Sequence, residues 1–212
     1  LTHTDEMYRG DQVKALPFLV TPPIRNSQHQ SALWRGLELG DLDIISTDHA
    51  AMRLVPEDKA REVAAYFGHD VIAPPIDGTT PYDSSGTRLM PVLPPGNVET
   101  RFPLIYSEGV LKGRLCRARW VETCCTAPAQ LFDLKTKGRI APGFDADIVI
   151  FDPSAEYTYG VKNLHSNTDY SVWENWKVQG KVEKTFSRGK LIVDGDKFLG
   201  KADHGQYLKR TV

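Results

Sequence analysis

A chain of 212 residues, 41% hydrophobic and 25% charged, has the make-up of a globular protein with one large domain or two small ones. Its net charge of −1 offers no grip on nucleic acid or an anionic membrane surface, and no apolar run approaches the roughly 18–20 residues that span a bilayer. Cys116, Cys124 and Cys125 form no disulfide framework and read as reduced, buried thiols of a cytoplasmic protein. The chain starts at Leu1 with a polar segment, LTHTDEMYRGDQ, and so reads as processed or partial.

In chain order, PFLVT (17–21) reads as a strand ending at Thr21, closed by two prolines that cannot extend a ladder. Asn26 or Ser27 is the expected cap of a helix over about 27–39, with Ala32, Leu33, Leu37 and Leu39 as its stripe and Gly40 as its stop. GDLDIISTDHA then gives a strand at about 42–46. Strand, helix and strand at this spacing indicate a parallel sheet with helices outside, a fold class whose chemistry sits at the carboxyl ends of the strands. Thr21 and Asp48 both fall there.

A short helix is expected over 56–68. A long stretch rich in Pro, Gly, Asp and Ser follows it, of the kind that forms lids or stays irregular. Pro103 fits the first turn of a helix carrying Leu104, Ile105, Val110 and Leu111. A second helix is expected at about 116–125 and a third at about 127–134, begun by Ala127-Pro128. From Lys137 the pattern is β, with a strand at Ile148–Phe151 and two strands joined at Arg188-Gly189. Gly195 turns into the next strand.

The sharpest local signal is Asp48-His49. A carboxylate at a strand end can ligate a divalent metal, act as a general base, or cap the next turn through its own side chain. His49 reads as structural rather than as a ligand. No H-x-H, H-E-x-x-H or C-x-x-C spacing occurs. Cys124-Cys125 reads as core packing. DADIVIFD, despite its carboxylates, reads as a strand with solvated ends, Trp173 and Trp176 as packing or interface residues, and GKADHGQYLKR as a tail lying on another surface.

PFLVTPPIR, GDLDIISTDHA, NVETRFPLIYSEGV, KGRIAPGFDADIVIFDP and FSRGKLIVDG with GQYLKR follow one another as in the C-terminal half of dihydropyrimidinases and D-hydantoinases, which this chain resembles. These are cyclic amidohydrolases of the metal-dependent amidohydrolase superfamily. The resemblance covers nearly everything except about 52–90. It implies an α/β fold: the C-terminal part of a TIM-like (β/α)8 barrel over 1–136, β-sandwich strands over 137–195, and a tail over 196–212 as a possible oligomer arm. Residues 52–90 are an insertion relative to the family, expected to form a lid.

By the same resemblance Asp48 ligates one metal of a binuclear zinc centre and carries a proton from the nucleophile to the leaving amide nitrogen. Thr21 takes the place of the family's substrate-binding serine, and Val92 that of an asparagine, leaving only a backbone contact there. The other ligands, including a carboxylated lysine that bridges two zinc ions, are expected upstream of Leu1. The implied reaction opens a dihydropyrimidine or 5-substituted hydantoin ring to an N-carbamoyl amino acid, in a cytoplasmic homo-tetramer or homo-dimer. Alternatives are a non-enzymatic dihydropyrimidinase-like scaffold, which typically lacks an intact TDH block, and a dihydroorotase or allantoinase type, which fits TPPIR and YLKR less well.

Overall fold

The computed structural model describes residues 1–8, 16–18, 20, 23–49 and 98–209. They fall into two compact units: Leu1–Leu33, Thr47–Thr100 and Thr158–Trp176 make the first, and Trp34–Ser46, Arg101–Tyr157 and Lys177–Val212 the second. The expected helix at 56–68, the lid-like 52–90 segment and Val92 lie outside the described residues, as does Thr21.

Helix α1 spans Ser27–Leu39, the expected range. It buries Trp34, Gly36 and Leu37, which corrects the expected stripe: Ala32, Leu33 and Leu39 are exposed. The Asn26 side-chain oxygen accepts from the backbone N–H groups of Gln28 (3.1 Å) and His29 (3.2 Å), two donors that the first turn would otherwise leave unmet. Gly40 adopts φ +88° just past the last turn, the left-handed stop available to glycine without strain.

In the first unit the His3 ring packs against Phe18 (5.2 Å), Trp173 (5.9 Å) and Trp176 (5.1 Å). Trp173 donates its indole N–H to Thr2 at 3.1 Å, so these tryptophans are packing residues. Leu16–Phe18 forms a 3₁₀ turn, which corrects the expected strand at residues 17 and 18. Pro17, lacking a backbone donor, suits a turn better than a ladder. Beneath this, Tyr159 exchanges backbone bonds with Trp176 (2.9 Å) and Asn175 (2.8 Å), and its hydroxyl reaches the Thr100 carbonyl at 3.3 Å.

In the second unit, helix α2 (Arg101–Ile105) runs straight into a π-helical turn, Tyr106–Val110. Helix α3 (Arg117–Val121) likewise continues through a π-helical turn, Glu122–Thr126, into α4 (Ala127–Leu131). The expected second and third helices are therefore one continuous rod. Pro128 explains its form: the ring has no N–H and would crowd the carbonyl four residues back in an α-helix. The chain widens instead, and the Ala127 N–H reaches the Glu122 carbonyl five residues back.

Phe102, Tyr106, Trp120 and Phe151 form an aromatic core, with ring centroids 4.2–5.7 Å apart. Strands β1 (Ile148–Thr158), β2 (Lys177–Ser187), β3 (Lys190–Asp194) and β4 (Lys197–Phe198) make one sheet in that order, with β2–β3 and β3–β4 antiparallel. The β2–β3 loop is Arg188-Gly189, both at positive φ (47° and 77°), the geometry a tight two-residue hairpin demands.

The carboxylates of DADIVIFD are engaged rather than free in solvent. Lys137 reaches both Asp145 (2.9 Å) and Asp147, while Asp147 also accepts the Arg188 backbone N–H at 2.7 Å. Among the described residues no helix is long and apolar enough to cross a membrane.

Candidate active site

Residues Asp43–His49 form no strand, contrary to the expectation at 42–46. A barrel-type strand needs neighbours on both edges, and here other groups take their place. Within the second unit the Ile45 N–H donates to the Thr123 carbonyl at 3.2 Å, and the Ile45 carbonyl accepts from the Arg101 guanidinium at 2.7 Å. Arg119 donates through Nε to the Leu37 carbonyl and through Nη2 to the Leu42 carbonyl, both at 2.7 Å. Nη1 of Arg119 sits 3.0 Å from Glu122. One arginine thus satisfies a terminal carbonyl of α1 and fixes the turn that follows it.

Ile45 is buried, and the chain then emerges into solvent through Ser46 to an exposed Asp48. Asp48 adopts φ +48°, a left-handed conformation that aspartate accepts more readily than most residues. Directly after it, His49 Nδ1 accepts the Val98 backbone N–H at 3.2 Å, within the first unit. That bond fixes Nδ1 as an acceptor, so the neutral ring carries its proton on Nε2. Nδ1 of His49 is thus engaged by the backbone.

The NVETR block around Val98 supplies several anchors. Beyond the Val98 donor, Glu99 accepts the His165 backbone N–H (2.7 Å) and pairs with its ring Nδ1 (2.8 Å). Sequence reasoning passed over Arg101, although one signal was available. A cation in the first turn of a helix opposes the helix dipole, so Arg101 at the start of α2 needs another purpose.

The cysteines carry no chemistry here. Burial chiefly pushes the Cys124 thiol up to about 11, against the opposing pull of the Arg101 charge, and burial raises Cys125 for the same reason. Both are protonated at neutral pH and poor nucleophiles. Cys116 departs from expectation: it is exposed, and its sulfur caps α3 by accepting the Arg119 backbone N–H at 3.4 Å.

The whole pattern finds a match in the amidohydrolase family, whose model covers residues 24–192. This chain belongs to that family. It is 34% identical over 209 residues to a D-hydantoinase of Streptomyces coelicolor, spanning 98% of this chain and 39% of that protein. It is also 34% identical over 201 residues to a D-phenylhydantoinase of Escherichia coli, again 39% of the relative. This amidohydrolase chain therefore spans about two fifths of the length of the curated relatives it matches. Among solved structures, a D-hydantoinase from a Bacillus species superimposes with a TM-score of 0.79 at 31% identity, over 100% of this chain and 41% of that one. A dihydropyrimidinase from Brevibacillus agri gives a TM-score of 0.81 at 28% identity, over the same fractions.

A binuclear metal centre goes with this family, and the fit to the described residues is partial. Asp48 offers an exposed oxygen ligand of the right chemistry. Yet among the described residues no three histidine, cysteine, aspartate or glutamate side chains converge on one point. They do not by themselves assemble the centre.

Proposed function

We propose that this chain belongs to an enzyme that hydrolyses a cyclic amide, a dihydropyrimidine or a 5-substituted hydantoin, to an N-carbamoyl amino acid. Asp48 is its general base and acid. The carboxylate takes a proton from the attacking water as the new C–O bond forms at the ring carbonyl. It returns that proton to the ring nitrogen as the C–N bond breaks, so the ring opens with atoms and charge in balance. The observation that carries this reading is the state of Asp48 itself: a solvent-facing carboxylate directly before His49, whose Nδ1 accepts the Val98 backbone N–H.

In the same reading the helical part is the closing stretch of a TIM-like barrel and the sheet belongs to a β-sandwich. The resemblance gives Thr21 a substrate contact, Val92 a backbone contact only, and residues 52–90 a part in substrate choice. Asp48 would supply one ligand of a centre that also needs a carboxylated lysine, and two zinc ions held there would polarise the ring carbonyl. The enzyme is a cytoplasmic homo-tetramer or homo-dimer. The tail is tied to the second unit by the Arg188 guanidinium, which donates to the His204 carbonyl, and it ends with Tyr207 91% exposed. That exposure suits an arm laid on a neighbouring copy.

The test is ring opening of 5,6-dihydrouracil and 5-phenylhydantoin by the intact enzyme and by Asp48→Asn, with zinc per chain measured on both. The expected result is a loss of roughly 10²–10⁴-fold in kcat with the melting temperature retained, and fewer zinc ions in the variant. Wild-type turnover by Asp48→Asn would end the assignment.

A further inference from the structure

Asp48 is the third residue after Ile45 in the chain. Ile45 is held at both backbone polar groups, its N–H by the Thr123 carbonyl and its carbonyl by Arg101. His49 is held through Nδ1 by the Val98 N–H. Asp48 has φ +48°. Aspartate accepts that region more readily than most residues, so what matters is where the chain leading to it is held: slack at Ile45 lets the carboxylate three residues on shift.

Of the groups holding Ile45, the Thr123 carbonyl belongs to a helix backbone, whereas Arg101 is a side chain recruited for the purpose. It begins α2, where its charge opposes the helix dipole, and it places that charge 2.7 Å from a peptide carbonyl. Charge-assisted bonds of this kind are stronger than neutral ones and directional.

We propose that Arg101 is a positioning residue for catalysis: its guanidinium fixes the Ile45 carbonyl and so sets the backbone path that delivers the Asp48 carboxylate. This rests on the reading of Asp48 as general base and adds a residue whose effect passes entirely through it. Lysine is no substitute, because a compact ammonium on a flexible stem lacks the planar fork that locks a donor in direction as well as distance. A misplacement of about 1 Å at a reacting group is enough to cost on the order of 10²-fold in rate.

The experiment compares wild type, Arg101→Lys, Asp48→Asn and the double variant in the intact enzyme. It follows steady-state turnover of 5,6-dihydrouracil together with hydrogen–deuterium exchange of the peptide covering 43–49. Arg101→Lys should lose roughly 10- to 100-fold in kcat with KM within about twofold, while exchange rises in 43–49 and is unchanged in the β2–β3 hairpin. The double variant should be no slower than Asp48→Asn alone, since a residue acting only through Asp48 has nothing left to act on.

Wild-type kcat in Arg101→Lys overturns the proposal. So does a loss that carries over in full onto the Asp48→Asn background, or unchanged exchange at 43–49. If Arg101→Lys does not accumulate as folded enzyme, Arg101→Gln, which keeps an N–H donor of shorter reach, carries the same comparison. Wild-type turnover by Asp48→Asn would sink the general-base reading instead, and the exchange data would still decide whether Arg101 holds the segment.

Discussion

The β2–β3 hairpin and the Asp43–His49 segment solve one problem in opposite ways. Both must satisfy backbone donors and acceptors along an extended stretch. The hairpin does so with itself: Ser187 pairs Lys190, Thr185 pairs Val193 and Lys184 pairs Asp194, across a loop of two residues at positive φ. The Asp43–His49 segment borrows its partners from far along the chain, from Val98, Arg101 and Thr123. Self-paired backbone spreads its stability over many equivalent bonds, whereas borrowed partners concentrate it in a few side chains. The hairpin should therefore fail through packing and the segment through single hydrogen bonds.

The largest expected stability effect tests the packing half of that contrast. Gly180 lies on β2 at φ +102°, and an added Cβ would sit 2.5 Å from both Phe151 Cζ and Tyr106 Cδ1. Gly180→Ala forces two rings of the aromatic core apart and strains the backbone, at about 3 kcal/mol. Gly195→Ala is the control, since its φ of +58° imposes strain but nothing lies within 4 Å of the new Cβ. It should cost about 1 kcal/mol. Equal shifts for the two in urea denaturation would mean that packing against the sheet is not what limits the hairpin.

The hydrogen-bond half rests on Arg119. Removing this side chain strips partners from the carbonyls of Leu37 and Leu42 at once, and Leu37 is only 1% exposed, so water cannot replace both bonds. Arg119→Ala should cost about 2 kcal/mol, a shift of about 6 °C in melting temperature. Arg35→Ala removes an arginine whose pair with Glu38 is out in solvent, at 64% and 50% side-chain exposure. It should move the midpoint by less than about 1 °C. If the two variants melt together, the borrowed bonds carry no special weight.

The same contrast explains what could be read in advance. Asn26, Gly40 and the Arg188-Gly189 turn are local signals, each acting within a few residues, and the elements follow them. The stripe through Ala32, Leu33, Leu37 and Leu39 misjudges the buried face, which is Trp34, Gly36 and Leu37. Ile44-Ile45 looked like a strand because apolar periodicity reports burial, and Ile45 is buried. Periodicity is silent on where the ladder partners are, so the segment's irregular form was hidden. The Ala127-Pro128 step looked like a helix start because proline is at home there. A π-helical turn that lets the rod pass through has no comparable signature in composition. Asp48 was legible as a chemical candidate, while the arginine holding Ile45 is 56 residues away in sequence and was not.

The smallest effect separates the regions by pH. Lys137 bridges Asp145 and Asp147, and Asp147 also accepts the Arg188 N–H of the hairpin turn. Hydrogen bonds from Lys137 and then Thr136 hold Asp145 below the usual carboxylate range. Burial pushes Asp147 up, but the Lys137 and Arg188 bonds outweigh it and leave Asp147 low as well. Lys137 itself is pulled down by burial and raised further by the two carboxylates, with a net rise. Depressed carboxylates stabilise the fold fully above their unfolded value of about 4 and lose that contribution as pH falls through the folded values. A raised lysine contributes below its unfolded value of about 10.4 and loses it as pH climbs through the folded one. Between roughly pH 5 and 10 the bridge is therefore at full strength. The stability gap between wild type and Lys137→Met, read by urea denaturation at pH 6, 4.5 and 3, should narrow steadily toward acid. The gap for Arg101→Lys should stay level over the same range, because the Ile45 carbonyl it holds does not titrate. A gap for Lys137→Met that is as wide at pH 3 as at pH 6 would mean the hairpin turn is held by its backbone bonds alone, with the Lys137 bridge adding nothing to it.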